Sequence, residues 1–181
     1  MRKMYLSAPL PFVGQKRMLA KEFMKVLEQY PDGTLFVDLF GGSGLLSHIT
    51  KSLKPHSTVI YNHFDNYRFR MKHIPQTNQL LADIREMVGN SVPRHKIIKG
   101  ELRERIFSRI EQEENSTGYV DFITLSSSIL FSMKYKLSVQ DMRKEALYNN
   151  IRKTGYPECT DYLEGLEIVS CDYKEVFNRY K

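Results

Sequence analysis

A chain of 181 residues suits one domain of ordinary size with room for a small inserted subdomain, and 41% hydrophobic against 27% charged residues permits a packed core. No apolar run approaches the ~20 residues of a membrane span, the opening MRKMYLSAPLPFVGQK has no long apolar stretch of the secretory kind, and Cys159 and Cys171 make no disulfide framework and no zinc-like spacing with the scattered histidines. A cytoplasmic protein without metal or membrane partner is expected, and a net charge of +6 with pI near 9.2 favours an anionic partner such as nucleic acid.

In chain order, Tyr5 to Val13 is punctuated by proline and reads as extended. Gly14 to Tyr30 reads as a helix, with Met18, Leu19, Phe23, Val26 and Leu27 on one side. Pro31-Asp32-Gly33 is a turn. Thr34 to Phe40 has strand length, Gly41 to Gly44 is a glycine-rich turn, and Leu45, Leu46, Ile49 and Leu53 follow with helical spacing. Pro55-His56-Ser57 breaks that helix, and Thr58 to Tyr61 reads as a second strand. Two strands separated by a helix predict a parallel sheet.

Asn66 to Val88 is mostly helical with an interruption near Pro75, and Ile97 to Gln112 is a second amphipathic helix. Asn115 to Gly118 is a polar break. Tyr119 to Lys153 is helical or loop-like, with Ser138 able to cap a helix starting at Val139. Leu166 to Cys171 is the last strand candidate. The helical stretch between the second and last strands, about 90 residues, is too long for a simple crossover and reads as an insertion.

Phe40-Gly41-Gly42-Ser43-Gly44 between strand and helix lets the backbone approach a ligand and leaves free N–H groups at the helix start. Ser47 stands where a dinucleotide fingerprint needs glycine, and no Gly-Lys-Ser/Thr follows, so neither that fingerprint nor a Walker loop fits. Left open on these residues alone is a tight turn with no ligand.

Asp38-Leu39-Phe40-Gly41-Gly42-Ser43-Gly44 resembles the D/E-x-F-x-G-x-G motif of S-adenosylmethionine-dependent methyltransferases. Pro11 to Lys16 resembles the P-x-x-G-x-K segment of Dam-type DNA adenine-N6 methyltransferases, Val59 to Asn66 their second-strand motif, and Ile168 to Tyr173 their later strand ending in Asp-Phe or Asp-Tyr. The motifs stand in the family's order. The resemblance implies an α/β fold, a partial Rossmann-like sheet of parallel strands with an inserted, mainly helical target-recognition region. It implies residues 1–90 as the first part of the cofactor domain, 91–160 as the recognition region and 161–181 as the return strand.

The same resemblance implies site residues. Lys16 would contact the methionine part of S-adenosylmethionine, Asp38 its amino group, and Phe40, Gly42 and Gly44 its methionine and adenosine. Asp172 would face the adenine amino group, with Tyr173 lining the same pocket or packing beneath it. The recognition region would meet double-stranded DNA through Lys134, Lys136, Arg143, Lys144, Arg152 and Lys153, with Ser126 to Ser128, Asn149 and Asn150 as further polar contacts. A restriction-modification setting would suit such an enzyme.

Two departures qualify the resemblance. His63 stands where the family carries an acid that grips both ribose hydroxyls; Asp65 offers partial compensation, and a loss of about 1–3 kcal/mol in cofactor binding is expected. The seven prolines are all isolated, so the catalytic Asp-Pro-Pro-Tyr is absent and no catalytic residue is assigned. The expected chain is thus a truncated, inactive one. Its first strand would lie at a sheet edge that takes up a second copy or a complementing C-terminal part, or is covered by another segment. The rival expectations are a non-catalytic DNA-binding remnant of a methyltransferase, and a related domain acting on RNA or a small molecule.

Overall fold

A computed structural model describes residues 3–63, 66–131 and 134–181. The chain folds as two compact units: residues 1–71 with 158–181, and residues 72–157.

The first unit is built on a parallel sheet of three strands in the order β1-β2-β5: β1 (Phe36–Asp38), β2 (Val59–Asn62) and β5 (Glu167–Val169). Phe36 to Asp38 pair with Val59 to Tyr61, and Ile60 to Asn62 pair with Glu167 to Val169. All four residues of β2 are buried, as a central strand requires. This is a mixed α/β, Rossmann-like arrangement. Helix α1 (Ala20–Glu28) follows a 3-10 turn at Lys16–Leu19, and α2 (Leu45–Leu53) follows the glycine turn. Ala20, Leu27, Leu45 and Ile49 form a core cluster against which Phe23, Met24 and Phe36 pack. Each fully buried leucine or isoleucine in it stabilises the unit by about 1.5–3 kcal/mol. Helix α3 (Tyr67–Lys72) follows β2, and α8 (Tyr173–Tyr180) follows β5.

A buried histidine ties both ends of this unit to α2. His48 is fully buried; it accepts from the Tyr5 backbone N–H at 2.9 Å and its Nδ1 lies 2.7 Å from the Tyr162 carbonyl. Because Nε2 accepts, the proton sits on Nδ1 and donates to that carbonyl. The Tyr162 ring stacks on the imidazole at 4.7 Å. Tyr5 in turn donates its hydroxyl to Asp161 at 2.9 Å, and burial together with this bond holds the phenol above its ordinary pKa.

The second unit contains α4 (Ile74–Val88), β3 (Ile97–Ile98), α5 (Gly100–Thr117), α6 (Phe122–Ile129), α7 (Val139–Arg143) and β4 (Leu147–Tyr148). Helix α4 packs on α5, burying Leu80, Leu81 and Ile84 and, from α5, Ile106, Phe107 and Ile110. Ser138 caps α7 by accepting from the Asp141 N–H, as its position predicts.

Several boundaries differ from the sequence reading. Ile97 and Ile98 form a strand, paired antiparallel with Tyr148 and Leu147, and α5 starts only at Gly100. The polar run Asn115 to Thr117 stays helical, and the stop is Gly118 in the left-handed conformation at φ 71°. By packing, the compact units divide at 72 and 157, because α4 packs with the helix that follows it. Among the described residues no helix is long and apolar enough to cross a membrane.

Candidate functional site

The glycine turn sits at the carboxyl ends of the parallel strands, where α/β sheets bind ligands. Its geometry depends on glycine in two ways. A Cβ on Gly41 would overlap the Tyr61 ring and the Asn62 carbonyl. Gly44 has φ +72°, and a Cβ there would press on Leu163 and Tyr61. The turn is closed by the Gly44 N–H on the Gly41 carbonyl at 2.7 Å and pinned by the Tyr61 hydroxyl on the Gly42 carbonyl at 2.6 Å.

Two hollows meet at this turn. The larger, about 330 Å³, is lined by Leu39, Phe40, Gly41, Gly42, Asn62, Cys171, Asp172 and Tyr173. The smaller, about 200 Å³, lies against Phe12, Val13, Gly14, Lys16 and residues 40–43 of the turn. Phe40, Gly41 and Gly42 line both. Phe40 and Tyr173 approach at 5.1 Å between ring centroids and are 63% and 42% exposed, so an apolar wall waits uncovered beside polar groups.

Asn62, a residue the sequence reading did not single out, holds the floor of the larger hollow. Its amide donates to the carbonyls of Leu39 at 3.1 Å and Cys171 at 2.9 Å, and accepts from the Cys171 N–H at 3.2 Å. One side chain on the central strand thereby fixes the segments following both outer strands. A polar residue ending an otherwise apolar central strand was the signal available for it. Tyr61 and Cys171 likewise carry no role in the sequence reading; Tyr61 matters through its contact with Gly41, which no linear spacing reveals.

The other expected site residues fall as follows. Lys16 lines the smaller hollow and donates to the Phe40 carbonyl at 2.9 Å, leaving further N–H donors on an exposed ammonium. Asp172 lines the larger hollow and caps α8, accepting from the Lys174 N–H at 2.8 Å. Asp38 lines neither; its carboxylate accepts from Ser47 at 2.7 Å and borders a separate hollow with Phe36 and Thr50. His63 is buried, accepts from the Arg68 N–H at 2.7 Å and thereby serves the first turn of α3, outside the lining of both hollows. Asp65 lies outside the described residues.

In the helical unit the expected phosphate contacts divide into two groups. Lys134 and Lys136 both meet Glu145, at 2.6 and 2.9 Å, and Lys144 meets Asp141 at 2.7 Å. Arg143 bridges Glu104 and Glu111 at 2.7 and 2.9 Å while lying over the Phe107 ring. These hydrogen bonds hold the Glu104, Asp141 and Glu145 carboxyls below their usual range. Arg152 and Lys153 are exposed and have no carboxylate partner among the described residues. Ser126 and Ser128 are buried and bonded internally, to Lys136 and Thr124, so they are not surface contacts. Asn149 and Asn150 commit their amides to the carbonyls of Val92 and Leu130. Among the described residues no His, Cys, Asp and Glu cluster could hold a metal ion.

The chain is 39% identical, over 184 aligned residues, to a Haemophilus influenzae protein named "Putative methyltransferase". The alignment takes in 99% of this chain but only 61% of that protein's length. No protein-family profile matches the chain. No solved structure matches it either.

The cleft fits the cofactor that a methyltransferase uses. Gly41 and Gly44 let the turn pack directly on Tyr61 and Leu163, which fixes the backbone between the two hollows. The larger hollow joins an aromatic wall to one carboxylate, suited to a nucleoside, and the smaller offers the Lys16 cation, suited to an amino-acid carboxylate. His63 adds no group to either hollow, because its ring accepts from the Arg68 N–H.

Proposed function

We propose that this chain is the cofactor-binding and DNA-recognition part of an S-adenosylmethionine-dependent DNA adenine-N6 methyltransferase. The observation that carries the reading is the paired hollow around Gly41 and Gly42 at the carboxyl ends of three parallel strands. The relative named as a methyltransferase supports the same class. When bound, S-adenosylmethionine supplies an electrophilic methyl group. Phe40 and Tyr173 would shield the nucleoside from water, Asp172 would accept from its amino group, and Lys16 would hold the far carboxylate. Adenine attack needs groups that polarise N6 and hold a flipped base; the sequence contains no adjacent prolines, so methyl transfer is expected only when an Asp-Pro-Pro-Tyr segment is supplied with it.

A second reading, a DNA-binding protein that has lost cofactor binding, is favoured by the commitment of the His63 ring to α3. Calorimetric titration with S-adenosylhomocysteine separates the two. Saturable binding supports the first reading, and the Cys171 thiol in the cleft gives an independent report, since bound ligand should slow its alkylation. Cys159, buried and with its thiol held above the ordinary range by that burial, is the slow internal control. A folded sample that takes up no ligand at millimolar concentration, with unchanged Cys171 reactivity, supports the second.

A further inference from the structure

Residues 87–100 and 146–157 of the helical unit carry no acidic side chain, and β3 and β4 bring these two stretches together. The His95 N–H donates to the Asn149 carbonyl and the Asn149 N–H to the Lys96 carbonyl, extending the pairing beyond the strands, each at 2.9 Å. Five exposed cations stand on the joined segments: Arg94, Lys96, Lys99, Arg152 and Lys153. None has a carboxylate partner among the described residues, whereas Arg103, Arg109, Lys134, Lys136, Arg143 and Lys144 all do.

Two guanidinium groups are also fixed there without being neutralised. Arg94 donates to the Ile151 carbonyl and Arg85 to the Arg152 carbonyl, both at 2.8 Å. A neutral carbonyl orients a cation but leaves its charge to act outward. Arg152 is steadied over the Tyr156 ring at 4.6 Å. Cations held in place lose less entropy on meeting a partner than free side chains do. The paired cations of α5 and α7 must instead give up a carboxylate before they can meet a phosphate.

We infer that the β3–β4 ribbon, through Arg94, Lys96, Lys99, Arg152 and Lys153, is the face that grips the phosphate backbone of duplex DNA, and that Lys134, Lys136, Arg143 and Lys144 are structural pairs. The inference rests on the nucleic-acid part of the proposed function and is independent of cofactor binding. Unpaired cations on a short ribbon suit the regular phosphate array of a duplex, and each phosphate neutralised releases counterions and steepens the salt dependence of binding.

The test is fluorescence anisotropy of the full chain with a labelled duplex of arbitrary sequence, without cofactor, over a salt series. The variants are Lys96→Ala/Lys99→Ala/Lys153→Ala, whose side chains make no bond to another described residue, and Lys134→Ala/Lys144→Ala as the contrast. Thermal melts establish that both remain folded. The expected result is a salt slope shallower by about 0.9 for each phosphate the ribbon no longer neutralises, with an unchanged slope in the contrast variant. An unchanged slope in the ribbon variant, a shallower one in the contrast variant, no duplex binding at all, or a clear preference for duplex RNA in competition would each overturn the inference. S-adenosylhomocysteine titration of the same samples keeps the two failures apart: lost cofactor binding with ribbon-dependent DNA binding sinks only the methyltransferase reading.

Discussion

At the scale of single residues, the proposed cofactor reading meets its test at position 63, whose ring serves α3 outside the lining of both hollows. An imidazole whose Nε2 accepts from Arg68 cannot offer two acceptor oxygens to a diol. An aspartate has an oxygen for each task. His63→Asp is therefore expected to tighten S-adenosylhomocysteine binding by about tenfold, within the range of one or two recovered hydrogen bonds. Calorimetry on both proteins reads this directly, and an equal or weaker affinity would place the ribose elsewhere. Gly41 makes the opposite case: Gly41→Ala should displace the Tyr61 ring, loosen its bond to the Gly42 carbonyl and destabilise the unit by about 1–3 kcal/mol in denaturant unfolding.

At the scale of elements, Arg143 joins α7 to Glu104 and Glu111 of α5, further pairs at Asp141 and Glu145 lie beside it, and their sign with pH is fixed. Arginine and lysine hydrogen bonds depress the Glu104, Glu145 and Asp141 carboxyls. A depressed carboxyl adds stability that is whole above its unfolded pKa and is lost as pH falls through the lower, folded value. The melting temperature should thus fall as the pH drops below the ordinary carboxylate range, and less steeply in high salt, which screens such pairs. A flat acid limb would mean that the pairs contribute nothing. Strand β1 raises a separate expectation. Its described residues pair only with β2, and Leu35 beside it is 47% exposed. Such an edge invites another strand, so the chain is expected to self-associate with rising concentration in sedimentation velocity, and Leu35→Lys should reduce that association. A strictly monomeric protein would remove the expectation.

The elements show what a linear reading can reach. The glycine turn, the strands on either side of it and the Ser138 cap follow from local chemistry, and the sheet's parallel sense follows from the strand-helix-strand order. Strands β3 and β4 were not legible, because Ile97-Ile98 continues the apolar spacing of the helix after it, and its partner Leu147-Tyr148 lies about fifty residues away; such pairing is set by tertiary packing rather than local propensity. In the site, the turn and Asp172 could be read from motif order. The turning of Asp38 to Ser47 and of His63 to Arg68 could not, since both depend on which competing partner the fold brings within reach.

At the scale of the whole molecule, the first unit is discontinuous, made of residues 1–71 and 158–181. Its two segments are joined at several buried points, His48 with Tyr5 and Tyr162 among them. The most consequential is Asn62, bonded to the segments after both outer strands. The two walls of the cleft consequently share one anchor. A ligand entering there meets a shape that is already made, so little of its binding free energy goes into ordering the protein. The signature lies in the heat rather than in the affinity: replacing Asn62 with leucine should make the entropy of S-adenosylhomocysteine binding more unfavourable in calorimetry, because the variant must acquire on each encounter an order that the native chain establishes once, during folding.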